Sequence, residues 1–112
     1  MLLKKGDILY LVVEYSDKKG LKERPVIVIS KHNNEFNYLE LSSRNYLEND
    51  EFVVKLLQSD YFLPKDSYVK IWKIDTIDES AIDEDILILD KLKPDDLNKI
   101  LEKLNKYFSQ DW

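Results

Sequence analysis

As far as Pro94 the apolar residues of this chain come in short runs set off by polar punctuation; beyond it they recur three and four residues apart. That change of period dictates a small β structure closed by one terminal helix. Gly6-Asp7 marks the start, and Ile8 to Tyr15, rich in β-branched and aromatic residues, is the first expected strand. Ser16 to Glu23 is a polar loop carrying Gly20. Pro25 to Ser30 is a second strand with proline at its first position, where a missing N–H does least harm. Lys31 to Asn37 is a turn centred on Asn33-Asn34, followed by strands at Tyr38 to Leu41 and Glu51 to Leu56. Gln58 to Phe62 is a short helical turn before Leu63-Pro64. Ser67 to Ile77 makes one or two strands and Asp85 to Leu89 a last one. After Pro94, Leu97, Ile100, Leu101, Leu104, Tyr107 and Phe108 share a helical face, with Asp95 and Asp96 in the first turn and Lys103 and Lys106 near the end, as the helix dipole prefers. The sum is one domain over residues 1–112, a mainly β, partly closed antiparallel barrel with a C-terminal amphipathic helix over about 94–108.

Composition narrows the function. The longest strictly apolar run, Ile8 to Val13, is too short to cross a bilayer, and no signal peptide is expected because Gly6-Asp7 follows Lys4-Lys5. The chain has no cysteine and one histidine, so neither a disulfide nor a structural zinc site is expected, and a reducing cytoplasm suits it. No metal and no cofactor is expected. A net charge of −5 argues at first against nucleic acid. Its distribution weakens that objection: residues 1–76 hold twelve basic and twelve acidic side chains, whereas residues 77–112 hold five and ten. The excess is C-terminal, and a neutral body can carry a local basic rim.

Arg24-Pro25 sits where the polar loop meets the unbroken run Val26-Ile27-Val28-Ile29. A guanidinium at the mouth of a buried strand suits a two-pronged grip on phosphate or carboxylate. With Asn33-Asn34 at the hairpin tip, Arg24 falls opposite Ser43 to Asn45 and Pro25 opposite Ser42 to Arg44. Two hydroxyls and a second guanidinium thus arrive beside Arg24. The arrangement fits an anion site; it also fits an ordinary polar strand end whose arginines sit in water. His32, the usual type of acid or base near neutral pH, lies eight residues from Arg24, roughly 25 Å along an extended strand, and takes no catalytic role.

An ordered set of landmarks resembles the PemK/MazF-like family of bacterial type II toxin–antitoxin systems. They are Gly6-Asp7-Ile8, Arg24 to Ile29, Leu41-Ser42-Ser43, Glu51-Phe52-Val53-Val54, Asp66-Ser67-Tyr68-Val69, Ile74-Asp75-Thr76-Ile77-Asp78 and the closing helix. The resemblance implies an SH3-like barrel, a homodimer, a cognate antitoxin that blocks the groove, and metal-independent cleavage of single-stranded RNA by attack of a ribose 2′-OH on the adjacent phosphate. It puts the catalytic arginine on Arg24 and the catalytic hydroxyl on Ser42 or Ser43. Lys18, Lys19, Lys22, Arg44, Lys70 and Trp72 are the expected RNA contacts. A fixed guanidinium stabilises the charge gathered by a pentacoordinate phosphorane more than it stabilises the ground state. The nuclease reading requires that guanidinium to face the serines and not to be consumed by an internal carboxylate.

The chain departs from the common family pattern at several places. Asp75 stands where many members carry arginine before Thr-Ile-Asp, Lys70 and Trp72 stand where some use an arginine and an acid, and Lys19 replaces a loop glutamate. Trp72 suits base stacking in a single-strand groove, although an aromatic in such a segment is more often core or dimer interface. No general base stands out. Two rival functions remain: a catalytically silent SH3-like module that binds a partner protein, and a CcdB-like gyrase inhibitor, to which the terminal Trp112 would belong.

Overall fold

The computed structural model describes residues 3–14 and 20–112. Six strands, β1 (Asp7–Glu14), β2 (Leu21–His32), β3 (Glu35–Ser42), β4 (Val53–Leu56), β5 (Ser67–Asp78) and β6 (Ile88–Lys91), precede one helix, α1 (Pro94–Ser109). They form one antiparallel sheet in the order β4-β5-β3-β2-β1-β6, curled into a half-barrel. Short 3-10 turns lie at Asn45–Asn49 and Glu79–Ala81.

Both faces of the central strands are covered, which is why their sequence reads as solid apolar runs instead of alternating. One face packs Ile8, Ile27, Leu39, Leu41, Val69 and Ile71 against Ile100 of α1, with Leu97, Leu104 and Tyr107 at the margin. The other gathers Leu9, Leu11, Val13, Val26, Val28, Phe36 and Tyr38 under Ile82. The expected apolar face of α1 is therefore split: Leu101 and Phe108 stay exposed. Pro94 occupies the first turn of α1, where its missing N–H costs nothing. The far half is tied to the turn before β4 by the Phe52–Tyr107 edge-to-face contact at 5.3 Å and by Lys106 on Glu51 at 2.5 Å.

Several boundaries differ from expectation for identifiable reasons. β2 begins at Leu21, because β1 pairs with it as far as Glu14↔Leu21; Pro25 is thus inside the strand. It is tolerated there because the ladder to β3 stops at Val26↔Glu40, leaving Pro25 a paired neighbour, Tyr10, on the β1 side only. The β2–β3 turn shrinks to Asn33-Asn34, with Asn33 at φ 51°, a left-handed conformation that asparagine accepts. Ser67–Asp78 is a single strand, and the last strand lies at Ile88–Lys91, later than its sequence pattern suggests.

Candidate active site

Register places Arg24. β2 carries one extra residue, Ile29, between the pairs Val28↔Tyr38 and Ser30↔Asn37. This bulge slides the rest of the hairpin by one residue, so the line through Val26↔Glu40 puts Arg24 level with Ser42, slightly short of the expected stretch Ser43 to Asn45. Arg24, Ser42 and Ser43 do share one cleft of about 250 Å³, completed by Tyr10, Glu23, Pro25, Leu41, Pro64, Lys65 and Ser67. Ser42 is buried, and its hydroxyl accepts the Arg44 N–H at 3.3 Å, which leaves its own proton to donate. Ser43 is exposed.

Arg24 is not free of internal carboxylates. Its Nε lies 3.2 Å from Oε1 of Glu40, a residue fully buried in β3. The same Oε1 takes Lys22 Nζ at 3.0 Å and Lys70 Nζ at 4.0 Å, while Oε2 takes Lys73 Nζ at 3.0 Å. Four cations thus surround one carboxylate, which orients the guanidinium without neutralising the group. No motif of the sequence marks Glu40 as a site residue. The available signal was a lone acid inside Tyr38-Leu39-Glu40-Leu41, since a charge embedded in an apolar strand requires a buried partner.

The backbone explains how so many cations converge. Lys22 and Arg24 alternate along β2 on the face of Val26, the cross-strand neighbour of Glu40. On the other side, β3 pairs Leu39↔Ile74 and Leu41↔Val69, so Glu40 alone faces the four residues 70–73 of β5. The slack lets β5 bend, with Val53↔Lys70 starting a new ladder to β4, and returns both Lys70 and Lys73 to Glu40.

Electrostatics follow. Burial pushes the Glu40 carboxyl up, but hydrogen bonds from Lys22 and Lys73 and the charges of Lys70 and Lys73 outweigh it and hold the group below the usual carboxylate range. Lys70 is pushed down to about 8, first by burial and then by Lys73, Lys22 and Arg24, against the pull of Glu40. Tyr38, across the sheet from Asp75, is pushed up to about 12 by burial, Asp75 and Glu40.

The remaining expected RNA contacts scatter. Lys22 and Lys70 stand behind Arg24 on Glu40, away from the cleft lining. Arg44 contributes its backbone N–H, and its side chain does not line the cleft. Trp72 lies in the β5 bend, 37% exposed. Lys18 and Lys19 lie outside the described residues. His32 flanks the Asn33-Asn34 turn at the opposite end of β2. Among the described residues no group of His, Cys, Asp or Glu is placed to hold a metal ion.

Residues 4–108 match the family described as PemK-like, MazF-like toxin of type II toxin-antitoxin system. The chain belongs to this family. No curated protein sequence matches it. A solved structure, the MazE-MazF complex (Form-II) from Deinococcus radiodurans, superposes with a TM-score of 0.72, covering 99% of each chain at 16% identity. At that identity the likeness establishes the fold. The match spans every landmark from Gly6-Asp7 to the helix, and the half-barrel with one C-terminal helix is the architecture the resemblance implied. None of the described helices is long and apolar enough to cross a membrane.

Proposed function

We propose that this PemK/MazF-like chain is the toxin of a toxin–antitoxin pair and an endoribonuclease acting on single-stranded RNA without a metal ion. The observation that carries the reading is the placement of Arg24 and Ser42 on one cleft, with the guanidinium held from behind by Glu40 among three lysines. The ribose 2′-oxygen attacks the adjacent phosphorus, the bond to the 5′-oxygen breaks, and the products carry a 2′,3′-cyclic phosphate and a 5′-hydroxyl. Arg24 stabilises the phosphorane through its terminal nitrogens, and the Ser42 hydroxyl orients a phosphate oxygen. Lys22, Lys70 and Lys73 add positive potential behind the cleft. A cognate antitoxin and a second copy of the chain are the expected partners, in keeping with the MazE-MazF complex that the fold resembles.

The test is incubation of the purified chain with a long single-stranded RNA in EDTA, beside Arg24→Ala. The parent is expected to give discrete cuts ending in cyclic phosphate, and the variant to lose at least about a hundredfold in rate. Equal cutting by both proteins would mean a contaminant or a misplaced site. No cutting by either would leave the protein-binding module as the better account.

A further inference from the structure

Among the described residues the fold leaves several aromatic side chains exposed, and Phe62 is the one beside the Arg24–Ser42 cleft. Phe62 is 73% exposed, between Tyr61 and Leu63, which are both buried. Its loop, residues 57–66, is nonetheless held at many points. Gln58 N–H donates to Asp66 Oδ1 at 2.8 Å and the Gln58 side-chain amide to the Pro64 carbonyl at 2.9 Å. Leu63 N–H donates to the Tyr61 carbonyl at 2.8 Å, and Phe62 N–H reaches Asp90 Oδ2 on β6, also at 2.8 Å. Tyr61 hydroxyl donates to Asp96 Oδ2 at 2.6 Å and accepts the Lys93 N–H at 2.9 Å. Burial of Tyr61 and Leu63 accounts for the anchoring. It does not account for a large ring held in water on a braced backbone, which is how a preorganised binding platform looks.

What lies beside the ring gives the chemistry. Phe62, Leu63, Pro64, Tyr10 and Leu89 line an apolar cleft of about 280 Å³. Tyr10 and Pro64 also line the Arg24–Ser42 cleft, so the two adjoin, and Lys65 carries the same loop into the second. A ligand filling both carries an anionic group and, a short link away, a flat apolar ring. A nucleotide of a single strand has that form, and its base, being unpaired, offers a face to stack.

We infer that the cleft of Tyr10, Phe62, Leu63, Pro64 and Leu89 is a base-binding subsite, taking an unpaired nucleobase next to the phosphate held at Arg24, with Phe62 as the stacking platform. The inference rests on the nuclease reading above and adds a specificity-determining residue to it. Stacking accepts any base in part, while the walls of the slot select among them by size, so the subsite contributes to the choice of cleavage site.

Two measurements on the full chain test it. In the first, the cuts made in a long RNA are mapped by sequencing and steady-state constants measured for one cut site. Phe62→Ala is expected to raise KM about tenfold at nearly unchanged kcat and to broaden the set of sites cut, and Phe62→Trp to restore KM. In the second, labelled single-stranded RNA of randomised sequence is titrated by anisotropy in EDTA on ice. Phe62→Ala and Arg24→Ala are each expected to weaken binding, and thermal unfolding of Phe62→Ala to match the parent. RNA binding that depends on Arg24 but not on Phe62, or a Phe62→Ala enzyme with parental KM and site choice, overturns the subsite and leaves the nuclease reading standing. Absence of RNA binding by the parent overturns both. Loss of antitoxin binding or of dimerisation in Phe62→Ala, with RNA constants intact, assigns the platform to a protein surface and overturns the subsite as well.

Discussion

Among the described residues two acids are withdrawn from water, Asp7 at 1% and Glu40 at 0% exposure, and they are treated in opposite ways. Asp7 closes a local turn: its Oδ2 accepts the Lys4 N–H at 2.7 Å while its own N–H donates to the Lys4 carbonyl at 3.0 Å. Its Oδ1 meets no hydrogen-bond donor, and no cation among the described residues pairs with it. Glu40 makes no such local brace. It collects side chains from β2 and β5 that lie far from it in sequence, and all of them are cations. Burial of an acid is therefore not one phenomenon. At Asp7 it is a solution to an unpaired backbone amide; at Glu40 it is a counter-charge around which strands and a guanidinium are oriented.

The sharpest way to break this contrast is the same isosteric change at both positions. Glu40→Gln keeps the shape and removes the negative charge on which Lys22, Arg24, Lys70 and Lys73 converge. A loss of about 3–5 kcal/mol in unfolding free energy is expected from urea titration, as when one partner of a buried pair is removed. The cut rate is expected to fall with it, even well below the melting temperature, because Arg24 loses the charged partner 3.2 Å from its Nε. If Glu40→Gln melts like the parent and cuts like it, the cluster is neither a brace nor an orienting device. Asp7→Asn, by contrast, retains an oxygen for the Lys4 N–H, and a change within about 1 kcal/mol is expected. Asp7→Ala leaves that amide without its partner and is expected to cost more, about 1–3 kcal/mol, with the cut rate of folded protein unchanged.

The same contrast explains what the sequence could reveal. Asp7 is announced by its neighbours: Gly6-Asp7 before an apolar run is a local signal, and Gly6 takes φ 92°, which suits glycine alone. The strands, the Asn33-Asn34 turn and the helix after Pro94 are likewise short-range patterns and were legible to within a few residues. Arg24 and Ser42 could be brought together because a hairpin links them, and the error of position came from the single extra residue at Ile29. Glu40 with Lys70 and Lys73 could not be found that way. Their meeting depends on a bend in β5 that pairs residues some thirty positions apart. Nothing local encodes it, and the lysines read as surface residues. The expectation of an unencumbered guanidinium failed for the same reason, since the carboxylate that holds it belongs to a neighbouring strand.

The smallest expected effect concerns protons, and it belongs to the Glu40 cluster. Glu40, held below the usual carboxylate range, contributes stability above its unfolded pKa and loses it as pH falls through its lower folded value. Lys70 acts at the other end of the scale. With a folded value of about 8 against 10.5 in the open chain, the unfolded state binds more protons between those limits, so the Lys70 contribution to stability rises as pH increases through the window. Tyr38, raised to about 12, opposes this only above the ordinary tyrosine value near 10, so the comparison belongs between pH 8 and 10. Lys70→Met, with the proton site gone, is expected to lose that rise in melting temperature relative to the parent. Over the same pH span the parent's affinity for single-stranded RNA is expected to weaken slightly as one unit of positive charge leaves the cluster, and Lys70→Met is expected to be insensitive to it. An equal pH response in parent and variant would show that Lys70 does not titrate against Glu40, Lys22, Arg24 and Lys73. The cluster would then hold its full positive charge throughout, and the difference between the two buried acids would rest on geometry alone.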